Sequence, residues 1–312
     1  MSSFHVAVVI PAFRVENWIT DVVSEIPSFI KTIIAVEDSS PDDTGHVLDA
    51  LASVEPRLVV IRHDWNQGVG GATISGYQEA IRRGVDIIVK MDGDGQMDAN
   101  YLEKLIEPII AGHCEYSKGN RFRYWSYLQE MPLVRKIGNL GLSFLVKLAT
   151  GYWNIFDPTN GFTAISVETL HRLDFGLLEQ RYLFETSMLS ALYLINARIK
   201  QVPMHAKYKG APSSLKIFES FAKFLTYLPK IMLRRFVHRY ILIDFTAISI
   251  FVILGLFSIA FGTTFGIYHW VRSLQTMQPA TAGTVMVSAM PVILGFQFFL
   301  QAIVLDIQNV PK

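Results

Sequence analysis

The chain has 312 residues, of which 51% are hydrophobic and only 18% charged, and its formal net charge is +1. That length exceeds one ordinary domain, and a near-neutral balance argues against a nucleic-acid binder. The apolar excess is uneven: no Lys or Arg lies between Arg239 and Arg272, or between Arg272 and Lys312.

The chain opens with strand and helix patterns in alternation. Val6 to Ile10, Thr32 to Val36, Leu58 to Ile61 and Asp86 to Met91 are β-rich runs, and the segments 16–29, 42–53 and 70–83 between them are long enough for helices. This alternation predicts an α/β domain with a mostly parallel, Rossmann-like sheet covered by helices. Loops after parallel strands gather at one sheet edge, so Pro11 to Glu16, Glu37 to Asp43, His63 to Gly71 and Asp92 to Gln96 are expected to converge on one pocket. The N-terminus enters a strand directly, without a signal-peptide pattern, and Cys114 stands alone, which fits a reducing compartment.

Met91-Asp-Gly-Asp-Gly-Gln96 is the most informative stretch of the chain. Two carboxylates at i and i+2 past a buried strand suit Mg²⁺ or Mn²⁺, a hard cation that takes one or two carboxylates plus substrate phosphate oxygens. Asp92, Asp94 and Gln96 are therefore the candidate metal ligands. Glu37-Asp-Ser-Ser-Pro-Asp-Asp-Thr44 offers acceptors suited to a base or ribose. Asn66-Gln-Gly-Val-Gly-Gly-Ala72 opens a helix with three glycines, but Thr73 replaces the last glycine of a dinucleotide fingerprint and the run follows the third strand.

The middle third predicts a helix over 133–150, a turn at Asp157-Pro-Thr-Asn-Gly161, a strand from Phe162 to Ile165, a helix over 182–195 and a strand from Ile199 to Met204. Residues 214–239 are amphipathic: Lys216, Lys223, Lys230 and Arg234 recur near helical spacing, Phe218, Phe221, Leu225, Leu228 and Met232 lie largely elsewhere, and Pro229 is expected to kink the helix. Two transmembrane helices are expected near 241–264 and 284–305. Asp244 and Gln297 or Gln301 would be polar intrusions facing the other helix, a partner chain or the interface. The basic flank of Arg234, Arg235, His238 and Arg239, against Arg272 alone in the connecting loop, places residues 1–239 in the cytoplasm. The domains are accordingly 1–213, 214–240 and 241–312, with the spans also a candidate surface for homo-oligomers.

Six motifs in order, Val8-Val-Ile-Pro-Ala-Phe13, Glu37-Asp-Ser-Ser, Asn66-Gln-Gly-Val-Gly-Gly-Ala, Asp92-Gly-Asp-Gly-Gln, Lys118-Gly-Asn-Arg-Phe122 and Asp157-Pro-Thr-Asn-Gly-Phe-Thr-Ala164, resemble glycosyltransferase family two. The likeness is to the polyprenyl-phosphate sugar transferases akin to dolichol-phosphate mannose synthase. It covers residues 6 to about 216 and implies a glycosyltransferase-A fold. It also implies that Asp38, with Pro11, Phe13 and Glu16, contacts the nucleoside, and that Gly68 and Gly71 help to form the donor pocket. Asp92, Asp94 and Gln96 would hold the metal, and Arg121 and Arg135 the phosphates, as Arg does bidentately. Glu185 matches a family carboxylate, whereas Ser187 stands where relatives often carry Asp. The usual Asn-Glu after the first strand is Arg14-Val15 here, with Glu16 one place later.

The expected reaction is inverting, metal-dependent transfer of one hexose from a nucleotide sugar to a polyprenyl phosphate at the cytoplasmic face of the bilayer. UDP-glucose is favoured as donor, with GDP-mannose as the alternative. An alcohol acceptor needs a positioned base and a lipid phosphate needs none, so Ser187 favours the phosphate. The rivals are a transferase acting on a glycolipid or polysaccharide hydroxyl and a non-catalytic membrane scaffold.

Overall fold

The computed structural model describes residues 4–123, 133–205 and 217–312. The chain divides into two compact units, residues 1–231 with 311–312, and residues 232–310.

The first unit is a seven-stranded sheet of order β3-β2-β1-β4-β6-β5-β7. Strands β1 (Val6–Ala12), β2 (Thr32–Glu37), β3 (Leu58–Arg62) and β4 (Ile87–Lys90) are mutually parallel. Helices α1 (Ile19–Glu25), α2 (Thr44–Val54) and α3 (Gly68–Arg82) connect them. Near-continuous apolar strands are what a sheet covered on both faces requires, and β1, β2 and β4 are buried almost throughout. After α4 (Leu102–Ile110) comes β5 (Tyr116–Asn120), then α5 (Leu133–Thr150) and β6 (Thr163–Ser166). Strand β6 runs antiparallel between β4 and β5, pairing Lys90 with Thr163 and Lys118 with the same Thr163. Helices α6 (Val167–Arg172) and α7 (Phe184–Leu194) then lead to β7 (Ile199–Pro203), parallel to β5. The mixed α/β sheet is as expected, with one reversed strand in its centre. Helix α8 (Ile217–Phe236) runs through Pro229, and Phe224, Leu228 and Ile231 on it are buried. Residues 214–216, Lys216 among them, and the side chains of Phe218, Phe221, Lys223 and Leu225 lie outside the described part.

In the second unit, α9 (Ala247–Thr276) and α10 (Ala282–Gln308) form a hairpin whose helices are long and apolar enough to cross a membrane. Their backbones approach closely at small residues: a Cβ on Gly295 would lie 2.9 Å from the Gly255 carbonyl, and one on Gly262 2.6 Å from that of Ser288. Phe257, Trp270, Ile293 and Phe296 point outward and are more than half exposed, a surface that hydrocarbon, not water, would cover. Asp244 precedes α9 and is exposed, so it falls outside the span. Gln297 and Gln301, one turn apart, are exposed and therefore do not face α9.

Candidate active site

The four loops at the carboxyl edge of the parallel strands are tied to one another. Val15 N donates to Thr44 Oγ1 at 3.0 Å, and Glu16 accepts from Asp43 N at 2.8 Å, joining the β1 and β2 loops. Asp38, buried, accepts from His63 Nδ1 and from the backbone N–H groups of Gln67 and Gly68 at 2.7–2.8 Å, joining the β2 and β3 loops. His63 Nε2 is in turn 2.9 Å from Ser75 Oγ on α3. Gly93 of the β4 loop lies against β1, where an added Cβ would come 3.4 Å from the Pro11 carbonyl. Phe13 is 40% exposed at this edge.

Strand β4 carries the centre of the site. Asp92, Asp94 and Gln96 line one pocket together with Arg121, Gly161 and His205. Asp94 accepts from Gln96 N at 3.0 Å, which turns the loop back on itself. Burial and the neighbouring Asp92 charge raise the Asp94 carboxyl above its ordinary pKa. Lys90, two residues before Asp92 and 1% exposed, places Nζ 2.6 Å from Asp92 Oδ1 and 3.1 Å from Glu185 Oε1. Burial penalises this ammonium, yet the two carboxylates outweigh the penalty and hold it above the usual lysine range. Gly161 presses on the same cluster, since a Cβ there would lie 2.6 Å from Lys90 Nζ and 2.8 Å from Asp92 Oδ2.

Arg121, at the end of β5, is gripped by Asp157: Nε and Nη2 donate to its two carboxylate oxygens at 2.8 and 3.0 Å, and Arg121 N adds a third bond at 3.1 Å. Asp157 is wholly buried, so the guanidinium plane is fixed by a group out of reach of solvent. Lys118, also on β5 and buried, donates to the Asn160 carbonyl, and burial pulls its pKa down to about 8 against the opposing pull of Glu185 and Asp157.

Gly68 and Gly71 meet protein. Gly71 N donates to the Gln180 carbonyl at 2.8 Å, and a Cβ on Gly68, at φ +88°, would lie 2.8 Å from the same oxygen. These glycines let α3 start directly beneath the 179–181 segment. Ser187, buried, is bonded within the first turn of α7 and to the preceding segment instead of facing the pocket, accepting from Glu179 N at 2.9 Å and donating to the Phe184 carbonyl. Arg135 sits on the first turn of α5, and its side chain lies outside the described part.

The donor set fits a hard divalent cation. Asp92 Oδ1 is taken by Lys90, which leaves Oδ2 with Asp94 and the Gln96 carbonyl groups, a hard all-oxygen set of the kind Mg²⁺ or Mn²⁺ completes with water and phosphate oxygens. The sequence assigned no role to Lys90 or His205, and it marked Asp157 and Gly161 only as parts of a turn motif. The readable signal was Lys90, a lone cation in the apolar run Ile87-Ile-Val-Lys-Met91, where burial demands a partner.

A mostly parallel sheet with paired carboxylates at its carboxyl edge defines an α/β protein whose ligand crevice lies at that edge. Residues 7–174, more than half the chain, match the model of Glycosyl transferase family 2, and the chain belongs to that family of glycosyltransferases. It is 36% identical over 187 residues to UDP-N-acetylglucosamine–dolichyl-phosphate N-acetylglucosaminyltransferase of Methanococcus voltae, covering 56% of this chain and 74% of the relative. It is 30% identical over 173 residues to undecaprenyl-phosphate mannosyltransferase of Micrococcus luteus, covering 55% and 70%. Among solved structures, glucosyl-3-phosphoglycerate synthase of Mycobacterium tuberculosis, in complex with Mn²⁺, UDP and glucosyl-3-phosphoglycerate, superposes with a TM-score of 0.54 at 18% identity. That match covers 75% of this chain and 80% of the other, and it establishes a shared fold.

Proposed function

We propose that the protein transfers one sugar, with inversion, from a nucleoside diphosphate to a polyprenyl phosphate at the cytoplasmic membrane face. The observation that carries this reading is the commitment of the carboxylates. Asp92 and Glu185 share the Lys90 ammonium, and Asp157 is spanned by Arg121. With Asp94 assigned to the metal, a hydroxyl acceptor would need a base that these carboxylates are badly placed to supply, whereas a lipid phosphate is already an anion near neutral pH. Ser187, bonded into its own helix, adds no base.

In this reading a phosphate oxygen of the lipid attacks the anomeric carbon. The bond from that carbon to the donor diphosphate breaks, and its electron pair leaves with the nucleoside diphosphate. Asp92, Asp94 and Gln96 would hold Mg²⁺ or Mn²⁺, which when bound supplies positive charge next to the diphosphate. Arg121, fixed in plane by Asp157, adds a permanent cation on the same side of the pocket. Pro11, Phe13, Glu16 and the loop organised by Asp38 form the nucleoside end, and Gly68 and Gly71 shape it through α3. Arg135 is assigned to the phosphates and Glu185 to the sugar side. The two spans hold the site at the bilayer, and their outward Gln297 and Gln301 give a second copy a polar contact.

The Methanococcus relative's name supports a uridine donor and the Micrococcus name supports mannose, so the donor is tested directly, with UDP-glucose favoured. Full-length protein in nanodiscs is given Mn²⁺, a polyprenyl phosphate and, separately, UDP-glucose, UDP-N-acetylglucosamine or GDP-mannose. Labelled sugar should enter an organic-extractable monophosphate product, and the matching polyprenol should be inert. Comparable transfer to the polyprenol, or undiminished rates in excess chelator, would refute the reading.

A further inference from the structure

Arg14 stands where the family it resembles usually carries Asn, and its environment is unusual. Its φ is +56°, a left-handed conformation that a side chain with a Cβ seldom adopts, and Ser39 in the facing loop has φ +52°. The two loops hold each other there: Arg14 N donates to Ser40 Oγ at 2.7 Å, and Val15 N and Asp43 N make the neighbouring bonds to Thr44 Oγ1 and Glu16. A strained residue kept in place by several bonds points to a use for its side chain. That side chain is exposed, and its guanidinium lies 5.4 Å from the centroid of the Phe13 ring. Arg57, Arg62, Arg82, Arg83, Arg121 and Arg198 all reach a carboxylate, and no such partner of Arg14 occurs among the described residues.

Position decides what this cation would meet. The carboxylate loop follows β4 and packs on Pro11 at the end of β1, while Arg14 is bonded to the loop after β2, on the other side of β1. In the functional reading above, the nucleoside of a diphosphate held at the β4 loop reaches the Asp38 loop after β2, which is two strand spacings or about 10 Å away. We propose that Arg14, backed by Phe13, covers the face of the donor's nucleobase as a stacking residue. A guanidinium is planar and weakly hydrated, and it stacks on π-systems, which an ammonium does not do. The proposal rests on the donor being a nucleoside-diphosphate sugar.

The test uses full-length protein in detergent with Mn²⁺, titrated with UDP and with GDP by calorimetry and assayed with the donor that the wild type uses. Arg14→Gly suits the left-handed backbone, so its melting temperature without ligand should equal or exceed that of the wild type. Its Kd for the preferred nucleoside diphosphate and its donor KM should rise about tenfold, with kcat at saturating donor within about twofold, the scale of one lost stacking partner. Arg14→Lys should recover less than half of the lost affinity. Nucleotide affinity of Arg14→Gly within twofold of an active wild type would overturn the assignment alone. Full recovery by Arg14→Lys would overturn it in favour of a simple charge contact. A wild type that binds neither nucleotide and transfers no sugar would overturn both this inference and the functional reading beneath it.

Discussion

Lys90→Met removes one side chain and orphans two. The ammonium is wholly buried, and its partners keep 32% (Asp92) and 14% (Glu185) of their side-chain exposure. Breaking a buried ion pair by deleting one partner costs roughly 3–5 kcal/mol, because the remaining charge stays desolvated. The partial exposure of Asp92 lets water screen part of that loss, which places the cost at the lower end, about 3 kcal/mol. For a unit of this size each kcal/mol shifts the midpoint by about 2–4 °C, so a fall of about 6–12 °C is expected. Four of the five tryptophans lie in residues 1–231, so intrinsic fluorescence during heating follows mainly this unit. Lys90→Met/Glu185→Gln removes the more buried of the two orphaned charges and should recover roughly half of the loss. A Lys90→Met midpoint within about 2 °C of the wild type, or a double variant no better than the single one, would refute the account of Lys90 as the strut between the strand and α7.

Asp92→Asn and Asp94→Asn should each lower turnover at least about a hundredfold in the nanodisc assay, while Asp49→Asn, which loses only an exposed pair with Arg62, should turn over normally. Lys118→Met should stabilise the protein at pH 7. The folded pKa of about 8 lies below the unfolded value of roughly 10.4, so the burial cost is complete below pH 8 and fades as pH rises through 10.4. Net of the lost bond to Asn160, the gain is about 2 kcal/mol at pH 7 and has vanished by about pH 10, read from unfolding midpoints across that range. In the hairpin unit, Asp306→Leu leaves Arg235 buried without its carboxylate, and hydrogen exchange of residues 237–243 should quicken, to be slowed again in Arg235→Met/Asp306→Leu.

The parallel half of the sheet was legible because β1, β2 and β4 are buried on both faces and read as unbroken apolar runs between turn signals. Strand β5 was not, since Ser117, Lys118 and Asn120 are polar yet buried, each made tolerable by partners that come from elsewhere in the chain. Helix α4 went unread because Pro108 interrupts its pattern, although it falls late in the helix. The reversed direction of β6 follows from its place between β4 and β5, a tertiary choice that local alternation does not encode. At the site, Asp92, Asp94 and Gln96 stood out by spacing and were found lining one pocket. Their support comes from Lys90 on β4 and, through it, Glu185 on α7, and nothing in a linear reading joins Lys90 to Glu185 across 95 positions.

The hairpin makes the same point about charge. The sequence marked Asp244 as the acid inside the first span, but α9 begins at Ala247 and Asp244 is exposed before it. The acid that is buried is Asp306, one residue beyond the expected end of the second span at 305. Its carboxylate receives Arg235 Nη1 at 2.6 Å and Nη2 at 3.1 Å, and the Tyr240 hydroxyl at 2.5 Å. Ser249 donates to the Tyr240 carbonyl, so the start of α9, the π-helical turn Val237–Ile243 and the end of α10 share one polar knot. This knot bears on the orientation argument, because an arginine neutralised within the protein contributes less to a count of positive charge. Removing Arg235 leaves Arg234, His238 and Arg239 on that flank against Arg272 alone in the loop between the helices. The asymmetry keeps its sign, and the paired Arg235 takes on a second use: it closes the hairpin where the chain enters it.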